Sequence, residues 1–148
     1  MLTEYEGKIF NAEIKGDQVS IWKYAFVEGF DKFQTRRGIT YFEKTVPIAK
    51  TGEFFSITFI AFIGNRHFVV NSLDAGKLNV ICDDQEYAYS HGFSELEHGV
   101  WITKMSLAEF DRFQMIKAIE NSSERVTVNL NNEQLEDMWN KYVKEVSI

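Results

Sequence analysis

The chain has one proline and one cysteine, and each scarcity excludes something. A lone Cys82 cannot close an internal disulfide, so neither a disulfide scaffold nor an oxidising compartment is implied. With Pro47 as the single proline and no low-complexity run, no linker stands out, and 148 residues are the length of one ordinary domain. A long apolar run is also missing. The most hydrophobic stretch, FFSITFIAFIGNRHFVV at 54–70, is broken by Gly64-Asn65-Arg66-His67, whereas a membrane-spanning helix needs roughly 20 apolar residues in succession. The start, MLTEYEGKIF, has neither the basic nor the apolar segment of a secretory signal, so the expected location is cytoplasmic. No G-x-x-x-x-G-K-[ST] or G-x-G-x-x-G pattern offers a cradle for phosphates, and no cofactor is expected. A formal charge of −6 disfavours nucleic acid and anionic membranes as partners.

What is present is aromatic: 13 Phe, 6 Tyr and 3 Trp, so the core is expected to be built largely from rings. Aromatic and β-branched residues on both sides of Gly64-Asn65 favour strands, and the dipeptide itself fits a two-residue hairpin turn. That loop sets the register: Ile63 against Arg66, Phe62 against His67, Ala61 against Phe68, Ile60 against Val69. Both faces of this central hairpin, 55–70, are apolar, which predicts cover on both sides. A further hairpin is expected from 8–14 and 19–26 around Lys15-Gly16-Asp17-Gln18. Additional strands are expected at 39–48, 77–83 and 99–105, and 125–130 is a strand or an extended connector.

Helical signals come late. Ser106-Leu-Ala-Glu109 is a capping box and predicts a helix over about 107–120 with Leu107, Phe110, Phe113 and Ile119 near one face. Asn131 or Asn132 caps a second, over about 132–146, where Leu135, Met138, Trp139, Tyr142, Val143 and Val146 recur at helical spacing. Acids at its start and lysines near its end complement the helix dipole. The expected fold class is α+β: a single domain over 1–148, mainly antiparallel sheet, with two C-terminal helices.

Candidate chemistry is sparse. Cys82 alternates with Leu78 and Val80 on one strand face and reads as core rather than as a nucleophile, so no catalytic residue is assigned. Asp83, Asp84, His91, Glu97 and His98 lie close together, but their spacing matches no zinc pattern, and no metal is assigned. His67 reads as a sheet histidine and Arg36-Arg37 as a solvated turn.

Charge is distributed unevenly. Between Lys77 and Lys104 there is no lysine or arginine, while Asp83, Asp84, Glu86, Glu95 and Glu97 carry −5 of the total −6. Tyr87, Tyr89, Phe93 and Trp101 are interleaved with them. Aromatic anchors ringed by like charge suit a surface for a cationic protein: the rings supply desolvated contact and the carboxylates speed encounter. The segment DDQEYAYSHGFSELEH and the passage WITKMSLAEFDRF give the chain a general resemblance to the small acidic immunity proteins of bacterial toxin–immunity systems. That resemblance implies a non-enzymatic inhibitor that covers the active site of a basic toxin domain. Two alternatives differ in class: a small-molecule-binding domain or small enzyme with a cavity beside the central hairpin, with His67 or His91 at its mouth, and a homodimer through an apolar sheet face.

Overall fold

The computed structural model describes residues 1–147, and they fall into two compact units. Twelve strands hold 54% of the chain and helix only 17%. The expected α+β class with two C-terminal helices is therefore corrected to a mostly antiparallel β fold with one sizeable helix, of 13 residues.

The first unit is built from residues 1–57, 117–125 and those from Asp137 on. Its strands are β1 (Leu2–Tyr5), β2 (Lys8–Lys15), β3 (Gln18–Lys23), β4 (Asp31–Gln34) and β5 (Thr40–Pro47), joined by the first residues of β6 (Phe55–Ile63). They pair antiparallel in the order β4-β5-β3-β2-β1-β6. The β2–β3 hairpin forms around Gly16-Asp17, with Lys15 opposite Gln18. Period-two alternation sends Phe10 and Ala12 of β2, Val19 and Ile21 of β3 and Val46 of β5 to one face, where Tyr5, Val27, Phe30 and Phe54 complete a core. Lys23 shares that face and is 5% exposed. Its ammonium is held by Glu145 at 2.9 Å and lies 4.6 Å from the centre of the Phe10 ring, the pairing that a buried cation requires.

One end of the opposite face of the same strands carries a second cluster. There Ile9 and Phe55 pack with Val146, flanked by Leu2, Ile57, Ile119 and Tyr142. Asn11 Nδ2 donates to the Val146 carbonyl at 2.6 Å and fixes this cover in place.

The second unit comprises residues 58–116 and 126–136. The rest of β6 continues into β7 (Arg66–Asp74), β8 (Lys77–Cys82), the short helix α1 (Gln85–Ser90), β9 (Ser94–Glu97) and β10 (Val100–Ser106). The strand order is β6-β7-β8-β10-β9, so β9 is an edge. β6 and β7 pair as the Gly64-Asn65 turn requires: Ile63 with Arg66, Phe62 with His67, Ala61 with Phe68, Ile60 with Val69. Gly64 has φ +58°, the left-handed conformation that a tight hairpin turn demands and glycine supplies without strain. Cover is unequal on the two faces. Phe59, Ala61, Phe68 and Val70 are all buried; across the strands Ile60 is buried, but Val69 is 38% exposed and His67 is exposed.

The helix expected over 107–120 does not form. The capping box at Ser106 is real, with Glu109 Oε2 accepting from the Ser106 amide at 2.8 Å, but it opens one 3-10 turn, Leu107–Glu109. Asp111 then ends the turn. Its amide donates to the Phe62 carbonyl at 2.8 Å, and its carboxylate accepts from the Gly64 amide. The chain continues as β11 (Arg112–Ile119), paired with β6 and with β12 (Arg125–Leu130). Phe113 and Met115 alternate into the core, while Arg112 lies 3.7 Å over the Phe62 ring. The Phe110/Phe113 spacing that reads as helical is thus a turn residue and a strand residue. Period two wins because the open edge of β6 offers backbone partners that a helix would leave unpaired.

The second expected helix exists in shorter form. α2 (Asn132–Trp139) runs into a π-helical turn, Asn140–Lys144. Asn131 and Gln134 cap its start reciprocally: the Gln134 amide donates to Asn131 Oδ1 at 2.8 Å, and the Asn131 amide to Gln134 Oε1 at 2.9 Å. Among the described residues no helix is long and apolar enough to cross a membrane.

Candidate functional site

The segment between Lys77 and Lys104, free of lysine and arginine, folds in the second unit as nearly all of β8, helix α1, edge strand β9 and the first half of β10. Asp84 is its hinge. Oδ1 accepts from the Tyr87 amide at 3.1 Å, capping α1, and Oδ2 accepts from Arg66 Nη1 at 2.8 Å. The Tyr87 amide first, and then the Arg66 guanidinium, hold this carboxyl below the ordinary value of 3.8. A depressed native pKa means that the cap's contribution is complete above the unfolded value and fades only as pH falls through the native one. The amide resonance of Tyr87, followed by NMR, is therefore expected to titrate with a midpoint below the ordinary carboxyl value of 3.8. A midpoint above that value would contradict the cap.

The predicted aromatics separate into two kinds. Phe93 is buried and stacks on Phe68 with centroids 6.1 Å apart. Tyr87 is half-buried: its ring meets Phe68 and Phe93, stacks on His91 at 3.8 Å, and lies 4.0 Å from the Arg66 guanidinium carbon. Tyr89 faces outward at 62% exposure, with its ring edge-on to Trp101 at 5.9 Å. Asp83, Glu86, Glu95 and Glu97 are all exposed. The structure thus leaves four carboxylates and Tyr89 exposed and places Phe93 in the core, against Phe68 and Tyr87.

One neighbour, Leu96, escaped the sequence reading. Leu96, between Glu95 and Glu97 on the edge strand, is 55% exposed. Alternation along SELE was the available signal, but four residues are too few to tell strand from loop. Trp101, the register partner of Glu95, is buried, and its Nε1 has no hydrogen-bond partner among the described residues. An orphaned buried donor costs about 1–3 kcal/mol.

A cavity of about 570 Å³ opens at the tip of the central hairpin, lined by Ile63, Asn65, Arg66 and His67 and by Cys82, Asp83 and Asp84. Cys82 is buried, and its Sγ contacts the Asp84 carbonyl at 3.5 Å. His91 is engaged elsewhere, with Nδ1 2.9 Å from the Tyr87 carbonyl. Among the described residues no group of three or more His, Cys, Asp or Glu side chains is arranged to hold a metal ion.

Comparison with protein-family models, with curated proteins and with solved structures returns no match, so no family is assigned to the chain.

Proposed function

We propose that this chain is a non-enzymatic protein-binding inhibitor of the immunity type, acting in the cytoplasm on a basic partner such as a toxin domain. The residues assigned to the surface are the exposed Asp83, Glu86, Tyr89, Glu95 and Glu97. One observation carries the reading: of the five acids between Lys77 and Lys104, Asp84 alone enters an ion pair among the described residues, with Arg66. The other four expose their charge to solvent. Concentrated, unneutralised charge steers an oppositely charged protein into contact, and exposed rings and aliphatic side chains then supply the short-range attraction. The open edge of β9 adds unpaired backbone amides and carbonyls along the same strip. A specific cavity favours a second reading, a small-molecule site beside the central hairpin with His67 on its wall.

The test is binding of the immobilised protein to a panel of purified basic toxin nuclease domains, with acidic proteins of equal size as controls. The expected result is saturable binding to at least one basic domain, with association that slows as salt rises from 50 to 500 mM, because charge beyond about 10 Å is screened. Binding that is absent across the panel, or indifferent to salt, overturns the proposal.

A further inference from the structure

Another part of the first unit's sheet carries chemistry unrelated to residues 83–97. On the face opposite its core, register places Trp22 of β3 across from Glu43 of β5, and Glu43 across from Asp31 of β4. Ser20 lies across from Glu13, and Tyr41 across from Phe33, whose ring stacks on it at 5.6 Å and 24°. Trp22, Tyr24 and Tyr41 wall a cavity of about 300 Å³ whose polar lining includes Glu13, Ser20 and Glu43. That volume is at the lower end of small-ligand sites.

The electrostatics of the cavity are one-sided. Glu43 is half-buried, and its carboxylate accepts a hydrogen bond from Ser20 Oγ, on a residue only 1% exposed. That bond fixes the carboxylate without neutralising it. None of the ion pairs among the described residues takes in Glu43. Lys15, the cavity's basic residue, lies 4.0 Å from Glu13 instead. A partly desolvated carboxylate between aromatic side chains repels anions and attracts cations, and the negative ring faces act in the same direction.

We infer that this cavity binds an organic cation, an ammonium or guanidinium group, with Glu43 as its counter-charge and Trp22, Tyr24 and Tyr41 as its ring walls. The same group can arrive as a free small molecule or as a lysine or arginine side chain on a peptide, and the probes separate the two.

Titration calorimetry and tryptophan fluorescence of the full chain are run with choline, with Nα-acetyl-lysine amide and Nα-acetyl-arginine amide, with the neutral choline isostere 3,3-dimethylbutan-1-ol, and with maltose. At least one cation is expected to saturate the protein, binding at least about tenfold more tightly than the neutral isostere. Glu43→Gln keeps an acceptor for Ser20 while removing the charge, and should weaken that cation about tenfold; Tyr41→Ala should act in the same direction. Tighter binding of choline than of the capped amino acids identifies a free small cation, and the reverse order identifies a presented side chain. Equal binding of choline and its isostere, binding of maltose alone, or no saturation by any cation below about 10 mM overturns the inference. The wild-type comparison decides the matter even if a variant does not fold.

Discussion

Replacing Asp83, Glu86, Glu95 and Glu97 together by lysine is expected to slow association with a basic toxin domain by roughly 10- to 1000-fold at low salt and to invert the salt dependence. All four side chains are exposed, and none is ion-paired among the described residues. Their replacement should therefore leave the fold intact, each change staying within about 0.5 kcal/mol. Asp84 is excluded on purpose. It caps α1 and pairs with Arg66, so its reversal would confound a change in binding with loss of the helix that presents Glu86 and Tyr89. Tyr89→Ala should act on the other rate constant. A ring that is 62% exposed in the free protein contributes after contact, so its truncation accelerates dissociation and leaves encounter unchanged. Association and dissociation rates measured at several salt concentrations distinguish the two effects. Unchanged low-salt kinetics for the fourfold lysine variant would mean that these carboxylates merely solvate a loop.

The largest stability effect is expected at Phe68. Its ring has no exposure and meets Tyr87, Phe93 and Phe110. Phe68→Ala removes a buried aromatic and leaves a cavity that neighbours on several different elements cannot easily collapse to fill, at a cost of about 3–5 kcal/mol. Against a typical domain stability of about 5–15 kcal/mol, that is a large share. Phe26, at 76% exposure, is the internal control, and its replacement by Ala should cost less than about 0.5 kcal/mol. Urea titrations of both variants give the comparison. A loss below about 1 kcal/mol at Phe68 would show that the hairpin face is not core. The consequence also reaches the candidate surface, because Phe68 supports Tyr87 of α1 and Phe93 just after it.

The hairpin at 55–70 was legible because its determinants are local. Gly64-Asn65 fixes the turn, and the turn fixes every pair after it. The β2–β3 hairpin was legible for the same reason. β11 was not, since Arg-Phe-Gln-Met-Ile-Lys-Ala-Ile fits period two and period 3.6 almost equally well, and the capping box at Ser106 tipped the reading towards helix. What decides is a partner more than forty positions away, the Phe62 carbonyl and Gly64 amide that receive Asp111. The acidic segment was read correctly as charge and incompletely as structure. Asp84 followed by Tyr87 is a helix cap that could have been recognised. That Tyr87 would lie against Arg66 could not, because the contact runs from the first residue of β7 to helix α1, which the sequence did not announce. The aromatic and carboxylate row of Trp22, Tyr41 and Glu43 was invisible for a related reason: its members alternate along separate strands, and only strand order makes them neighbours.

The cover that Val146 and Glu145 provide for the first unit bears on how the protein is made. Asn11 waits for a bond partner 135 positions later, and Lys23 for one 122 positions later. At a translation rate of about 5–20 residues per second, the early strands are synthesised on the order of ten seconds before the residues that seal one face and neutralise the buried lysine. During that interval β1, β2 and β3 can pair, but Ile9 stays uncovered and Lys23 lacks its counter-ion. The nascent unit is therefore open to chaperones, and to other nascent copies, until the last helical turn has cleared the ribosome.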